Sequence, residues 1–284
     1  METRKKTGRK IVDVAVRGCS LVATVLALAL MGWILWTVVR EGAGALSWDL
    51  LIHRSRPYGE PGGGIANALV GTLVITLGAA ALAIPLALLA GIGLAEFGGK
   101  GRFTGICRFA INLLMGVPSV IVGLFVYGVL VVPAGHFSGF AGSVAMLMFA
   151  VAVRTTEDQI ALVPTALREA GLALGASRTR VTLGLVCRDA ARGMLTGILL
   201  AVARVAGETA PLLFTALYAD DWPTNYFDGP TPSIPVLIAN NTLDSPFEEV
   251  QRVGWSAALV IAGAILALNV AVRFFARPRR EGRS

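Results

Sequence analysis

Arg204 and Glu208 stand inside "ARVAGETAPLLFTAL", residues 203–217, a stretch otherwise made of small and apolar side chains. An arginine is always charged and presents a planar fork of donors that matches the oxygens of an oxyanion. A carboxylate four residues further on shares its face when the segment is helical. It tempers the grip on an anion, so that the anion is passed rather than trapped. An ionised side chain near the centre of a bilayer costs on the order of 3 kcal/mol on insertion scales. An internal ion pair stapling two helices is one explanation for keeping it, but buried pairs are weak stabilisers. The other explanation is a polar pathway for an anion, with Arg204 about halfway along its helix.

Arg154 and Glu157 form a second pair of the same kind. Phe140 to Val153 is an apolar run of fourteen residues, about 21 Å of helix and too short to cross a bilayer. Either the helix stops there, or it continues through "RTTEDQIALV" and carries Arg154 and Glu157 into the inner half of the pathway. The return of apolar character at Ile160–Val163 favours continuation. The competing reading for Arg154 is a side chain that snorkels to the interface.

Other chemistry is thinly represented. The nearest approach to a phosphate-binding loop, "GLAEFGGKG" at 93–101, has Gly99 where lysine belongs, and Gly101 follows Lys100 where Ser or Thr belongs. No nucleophile and base stand at a useful spacing, so no catalytic residue is expected. His53 and His136 are alone, and Cys19, Cys107 and Cys187 imply neither a metal site nor a disulfide framework.

The elements that must hold these residues follow from composition. The chain has 284 residues, 55% hydrophobic and 15% charged, which is too apolar for an ordinary soluble domain. Six stretches approach the length of about 20 residues needed to span a bilayer: Val12–Val39, Ile65–Phe97, Phe103–Val132, Phe140–Val163, Ala191–Tyr218 and Val253–Phe275. An all-α integral membrane protein of six spans is the expectation. The first stretch is too long for a signal-peptide core and has no cleavage pattern, so it is read as a retained helix. Pro85 and Pro118 are expected to kink their helices. Gly193 and Gly197 are read as a close-contact seam, one reading being contact with a second subunit.

Basic residues set the orientation. The N-terminal cluster, Lys100, Arg102 and Arg108, the segment Arg168–Arg192 and the tail Arg273–Arg283 fall on one side of a six-span arrangement. Both termini are therefore expected in the cytoplasm, and the net charge of +7 needs no nucleic-acid partner. Two longer outer loops, Arg40–Gly64 and Ala219–Arg252, read as linkers or as a docking surface for an outer partner. The organisation expected is an N-terminal tail, first span and outer loop over 1–64, a core over 65–275 with a cytoplasmic loop at 164–190, and a basic tail over 276–284.

That cytoplasmic loop carries the most specific pattern. In "LREAGLALGAS" a helix is expected over Ala166–Leu174, with Gly175 as its stop. The segment resembles the EAA motif of bacterial ABC-importer permeases, matched here by Glu169, Ala170, Gly171 and Gly175. In that family it forms a coupling helix seated in a cleft of the cytoplasmic ATPase. The chain departs from the usual continuation at Cys187, Arg188 and Arg192. "VRTTEDQIALVPTALREAGLALGA", "GMLTGILLAVARVAGETAPLLFTAL" and "GVPSVIVGLFVYG" are similar to the phosphate-specific permeases of this class, densest over 115–217.

The resemblance implies the type I ABC-importer permease (MetI-like) fold and one half of a translocation pathway in the bacterial inner membrane. It implies Arg204, Glu208, Arg154 and Glu157 as pathway residues. Implied partners are a second, PstC-like permease, two copies of a PstB-like ATPase that binds ATP and Mg, and an outer, PstS-like phosphate-binding protein. This chain itself would bind no cofactor. Hydrogenphosphate differs from sulfate in carrying a proton to donate, which makes Glu208 a candidate selector. The rival readings are a permease for sulfate, molybdate or tungstate, a secondary transporter, and a non-transporting membrane scaffold.

Overall fold

The computed structural model describes residues 2–57, 59–60, 62–99, 101–146 and 148–275. Lys100 and the tail 276–284, both used for orientation, lie outside the described residues, as do the side chains of the N-terminal basic cluster at positions 4–10. Every regular element among the described residues is helical.

Helix α1 (Glu2–Gly42) leads through a 3-10 turn at Ala43–Ala45 to the short α2 (Trp48–Ile52), whose start is capped by the Ser47 hydroxyl accepting from Leu50 N at 3.1 Å. Helix α3 (Ala66–Ile92) runs through Pro85 and ends in a π-helical turn, Gly93–Phe97. Next come α4 (Arg102–Gly116), α5 (Ser119–Val126), a π turn at Tyr127–Val131 and α6 (Val132–Ala134). Helices α7 (Gly139–Ala145) and α8 (Met148–Ala161) precede α9 (Thr165–Ala173) and α10 (Arg178–Val181). A π turn at Thr182–Val186 opens α11 (Cys187–Val205), which is followed by α12 (Ala210–Thr215). Helix α13 (Ile234–Ala239), a π turn at Asn240–Asp244 and α14 (Glu248–Phe275) complete the order.

Three helical stretches are long and apolar enough to cross a membrane, Asp13–Ala45, Ala66–Phe97 and Glu248–Val272, and bent pairs raise the number to five. The third expected span, Phe103–Val132, is one of these pairs. Helices α4 and α5 meet at 102°. Pro118 is therefore a corner rather than a kink: it forces Val117 into extended backbone (φ −71, ψ 131) and cannot donate to α4. Helices α7 and α8 make the other pair.

The fifth expected span, Ala191–Tyr218, is divided. Helix α11 ends at Val205 and α12 starts at Ala210. Pro211 would set its ring against the carbonyl of Gly207, four residues back, and it has no N–H to continue the ladder. The chain breaks there.

Helix α8 lies at the centre, with Met148, Ala150, Ala152, Val153, Thr156 and Ile160 buried. It is gripped on two sides by helices that carry glycine at the contact. A Cβ on Gly91 of α3 would lie 2.6 Å from Thr156 Cβ. On Gly193 and Gly197 of α11 a Cβ would collide with Gln159 and Thr155 of α8. The expected close-contact seam is thus filled by this chain's own α8 and is not held open for a second subunit. Most of α1 is exposed and apolar, including Leu21, Leu26 and Trp33, as lipid-facing helices are.

The two longer loops are more ordered than linkers. Asn67, fully buried, accepts from Ser55 N at 3.0 Å and from its hydroxyl at 2.8 Å, and donates to the carbonyls of Ala219 (3.2 Å) and Asp221 (3.4 Å). Arg54 pairs with Asp221 across the same junction. Within 219–252, helix α13 buries Ile234, Pro235, Val236 and Leu237 against α3 and α14.

Candidate translocation and coupling sites

The continuation of α8 to Ala161 places Arg154 and Glu157 on one helix, three residues apart. Arg154 Nη1 lies 3.7 Å from Glu157 Oε2, and its Nη2 lies 3.1 Å from Asp158 Oδ1. Glu157 is buried, and its Oε1 also accepts from Arg108 Nε of α4 at 2.6 Å. Arg108 donates in addition to the Leu94 carbonyl at the end of α3, 3.1 Å away. Two guanidinium groups and two carboxylates thus balance in charge, and Arg154 is 41% exposed at its edge. An anion arriving there competes with carboxylates for a fork of donors. That arrangement holds an anion weakly.

Arg204 and Glu208 are not brought together. Arg204 is exposed in the last turn of α11, where a cation suits the carbonyl end of the helix dipole. Glu208 is half-buried in the break, its N–H donating to the Val205 carbonyl at 3.0 Å. Among the described residues neither side chain pairs with the other, so the shared helical face expected from their spacing does not exist. The contacts of Gly193 with Gln159 and Gly197 with Thr155 run α11 antiparallel to α8. Arg204, six residues beyond the level of Arg154, then lies about 9 Å from it along the axis, at about 1.5 Å per residue. The two arginines stand at different depths.

Helix α9 starts and stops within one residue of the expected Ala166–Leu174. Gly175 adopts φ +80. Gly175 N donates to Leu172 O at 2.9 Å and Ala176 N to Gly171 O at 3.4 Å, the two bonds of a Schellman stop. Gly171 is buried where a Cβ would meet Leu185 and Val181 at 2.8 and 2.9 Å. Glu169 and Ala170 point outward and are exposed. The base of the helix is held by Arg168. Its Nε lies 2.9 Å from Glu96 Oε1, its Nη2 donates to Ile160 O at 2.8 Å, and its Nη1 donates to Val163 O. A short helix is thereby presented with one face locked to the bundle and the other free.

Comparison with known proteins bears on what such a helix serves. Residues 83–278 match the family model described as binding-protein-dependent transport system inner membrane component. The chain is 42% identical over 243 residues to the phosphate transport system permease protein PstA of Yersinia pestis, covering 85% of this chain and 82% of that one. To the protein of the same description in Haemophilus influenzae it is 40% identical over 269 residues, 94% of each chain. The chain belongs to the PstA family. Its fold is also that of a chain of the MetNI methionine ABC transporter in inward-facing conformations, with TM-score 0.57 at 14% identity, over 75% of this chain and 93% of the other. The MetI-like permease fold is therefore the architecture of this PstA-family chain.

Four further charged residues of this PstA-family chain enter these clusters: Arg108, Asp158, Glu96 and Arg168. In the sequence Arg108 and Arg168 read as orienting basic residues, and Glu96 lies inside an apolar run. A signal was present, since each lies in or beside an apolar stretch where a charge needs a partner. Among the described residues, no group of three or more His, Cys, Asp or Glu is placed to hold a metal ion.

Proposed function

We propose that this chain is a permease subunit of an ATP-driven importer of inorganic phosphate, forming one half of the translocation pathway. The observation that carries this reading is the similarity to phosphate transport permeases over 94% of the chain. It fits a protein with arginines at two depths of a helical bundle and an outward-turned coupling helix. Sulfate, molybdate and tungstate are the rival substrates.

In this reading a related second permease supplies the other half of the pathway. Two copies of a separate ATPase subunit bind ATP and Mg, and an outer binding protein delivers phosphate. The exposed face of α9, with Glu169 and Ala170, enters the ATPase cleft, and the turn at Gly175 fixes where that face ends. Phosphate meets Arg204 and then Arg154. At Arg154 it displaces Glu157 and Asp158 from a guanidinium that is already partly neutralised, and the same carboxylates then help to expel it. Glu208, free of Arg204, is available to accept a hydrogen bond from hydrogenphosphate, one that sulfate, carrying no proton, cannot offer. The protein lies in the bacterial inner membrane with both termini in the cytoplasm.

The test is uptake by the complete complex in proteoliposomes. ATP-dependent entry of phosphate that excess sulfate or molybdate fails to inhibit supports the reading. Entry that sulfate or molybdate suppresses in proportion to its concentration favours the rival oxyanions, and entry without ATP rejects the importer class.

A further inference from the structure

Arg168 faces away from Glu169 and Ala170, its two nearest neighbours in the coupling motif. On α9 it lies on the inward face with Leu167 and Gly171, while Glu169, Ala170, Leu172 and Leu174 are exposed. Its guanidinium reaches two helix ends at once. The Ile160 and Val163 carbonyls belong to the exit of α8, where the last carbonyls lack partners within the helix. The Glu96 carboxylate, 2.7 Å from Nη2, belongs to the π turn that ends α3. Glu96 is only 7% exposed. Arg178 of α10 closes the other side by donating to the Glu96 carbonyl and placing its guanidinium 5.3 Å over the Phe97 ring.

The third exit is reached through packing. Gly171 lets α9 approach Val181 and Leu185, and Leu185 lies in the π turn that opens α11. Helix α9 is thus fastened to the ends of α3, α8 and α11, and the last two carry Arg154, Glu157 and Arg204. Two of the three attachments are π turns, a helical form that is rare and concentrated at functional sites. A buried carboxylate left without its arginine is strongly unfavourable, so this attachment resists separation.

We propose that Arg168 and Glu96 form the clamp that carries movement of α9 into the pathway helices, so that Arg168 is a positioning residue for transport and not an ATPase contact. The proposal rests on the importer reading above. Without the clamp the ATPase still docks on the outer face of α9 and still hydrolyses ATP. The stroke no longer reaches α8.

The experiment uses the complete complex in proteoliposomes and reads phosphate imported per ATP hydrolysed, together with the amount of ATPase that co-purifies. For Arg168→Gln the account expects full ATPase recovery and a ratio lower by about 5-fold or more, the lower range of coupling between distant sites. Glu96→Gln, close to isosteric and less disruptive to folding, lowers the ratio in the same direction. Arg168→Lys falls between, because an ammonium keeps the ion pair but cannot fork to both carbonyls. An unchanged ratio in both Glu96→Gln and Arg168→Gln overturns the clamp, and so does loss of the ATPase from the Arg168→Gln complex, which would make Arg168 a docking residue. A wild-type complex that hydrolyses ATP and imports no phosphate overturns the functional reading itself. That failure is distinguishable because it appears before any substitution is made.

Discussion

Glu157 accepts a hydrogen bond from Arg108 at 2.6 Å although 49 positions separate them in the chain. The bond ties α4 to α8 and takes up one oxygen of the carboxylate, while Arg154 lies 3.7 Å from the other. A cation that orders Glu157 also decides how firmly Glu157 holds Arg154. Removing Arg108 leaves a buried carboxylate with a single, longer contact. Such a loss costs about 1–3 kcal/mol. Arg108→Ala is expected to lower the melting temperature of the purified permease, whereas Arg102→Ala, at an exposed position of the same helix, leaves it unchanged. Equal melting temperatures for the two variants would remove Arg108 from the account.

The seam between α8 and α11 gives a second expectation. A methyl group at position 197 collides with Cγ2 of Thr155. Gly197→Ala should therefore destabilise by about 1–3 kcal/mol, the usual cost of overpacking. Thr155→Ser removes the colliding methyl and should recover most of that loss, so the two substitutions are coupled in a double-mutant cycle. Gly105→Ala, where a Cβ meets nothing within 4 Å, serves as the comparison. Additive effects at 155 and 197 would show that the helices do not touch there.

Asp220, in the loop beyond α12, has its carboxyl pushed above the ordinary carboxylate range, first by desolvation and then by the neighbouring Asp221, with Arg54 opposing and Glu60 adding to the rise. A raised folded-state value means that stability is fully present below the unfolded value and is lost as pH climbs through the folded one. The charged form is therefore a liability at neutral pH. Asp220→Asn is expected to raise the melting temperature at neutral pH, and the gain should vanish below about pH 4, where the aspartate is protonated in both states. A gain of the same size at both pH values would assign the effect to something other than charge.

The orientation is tested by labelling. In a background lacking Cys19, Cys107 and Cys187, a cysteine at the exposed position Asn225, expected on the outer side, should react with an impermeant thiol reagent applied to intact cells. One at Thr179, exposed beside α9, should react only after lysis. Ser233, in the same outer loop, is fully buried and reports nothing. The reverse pattern would invert the topology and separate α9 from any cytoplasmic ATPase.

Much of this was legible in the sequence where the signal is local. The bounds of α9, its glycine stop and the continuation of α8 through "RTTEDQIALV" all follow from periodicity, turn chemistry and length. The break at 206–209 carried its own signal in Pro211, yet the apolar run around it reads as one helix because lipid-facing and buried positions are equally apolar. Helix α13 was hidden in a loop because Pro235, Asn240 and Asn241 dilute a short apolar core that is recognisable only once α3 and α14 enclose it. The charge partners were the least legible. Arg168 and Glu96 stand 72 positions apart, and no period in a sequence links two such residues. Their pairing is a property of the packed bundle.

Whether an anion crosses beside the arginines of α8 and α11 is read from the rate of ATP-dependent phosphate uptake by Arg204→Gln in the reconstituted complex. Assembly and ATPase binding should match the wild type, with uptake abolished. Because Arg204 and Glu208 do not pair, adding Glu208→Gln should restore nothing. Uptake by Arg204→Gln at the wild-type rate would contradict the pathway, and recovery in the double variant would show that Glu208 serves only to neutralise Arg204.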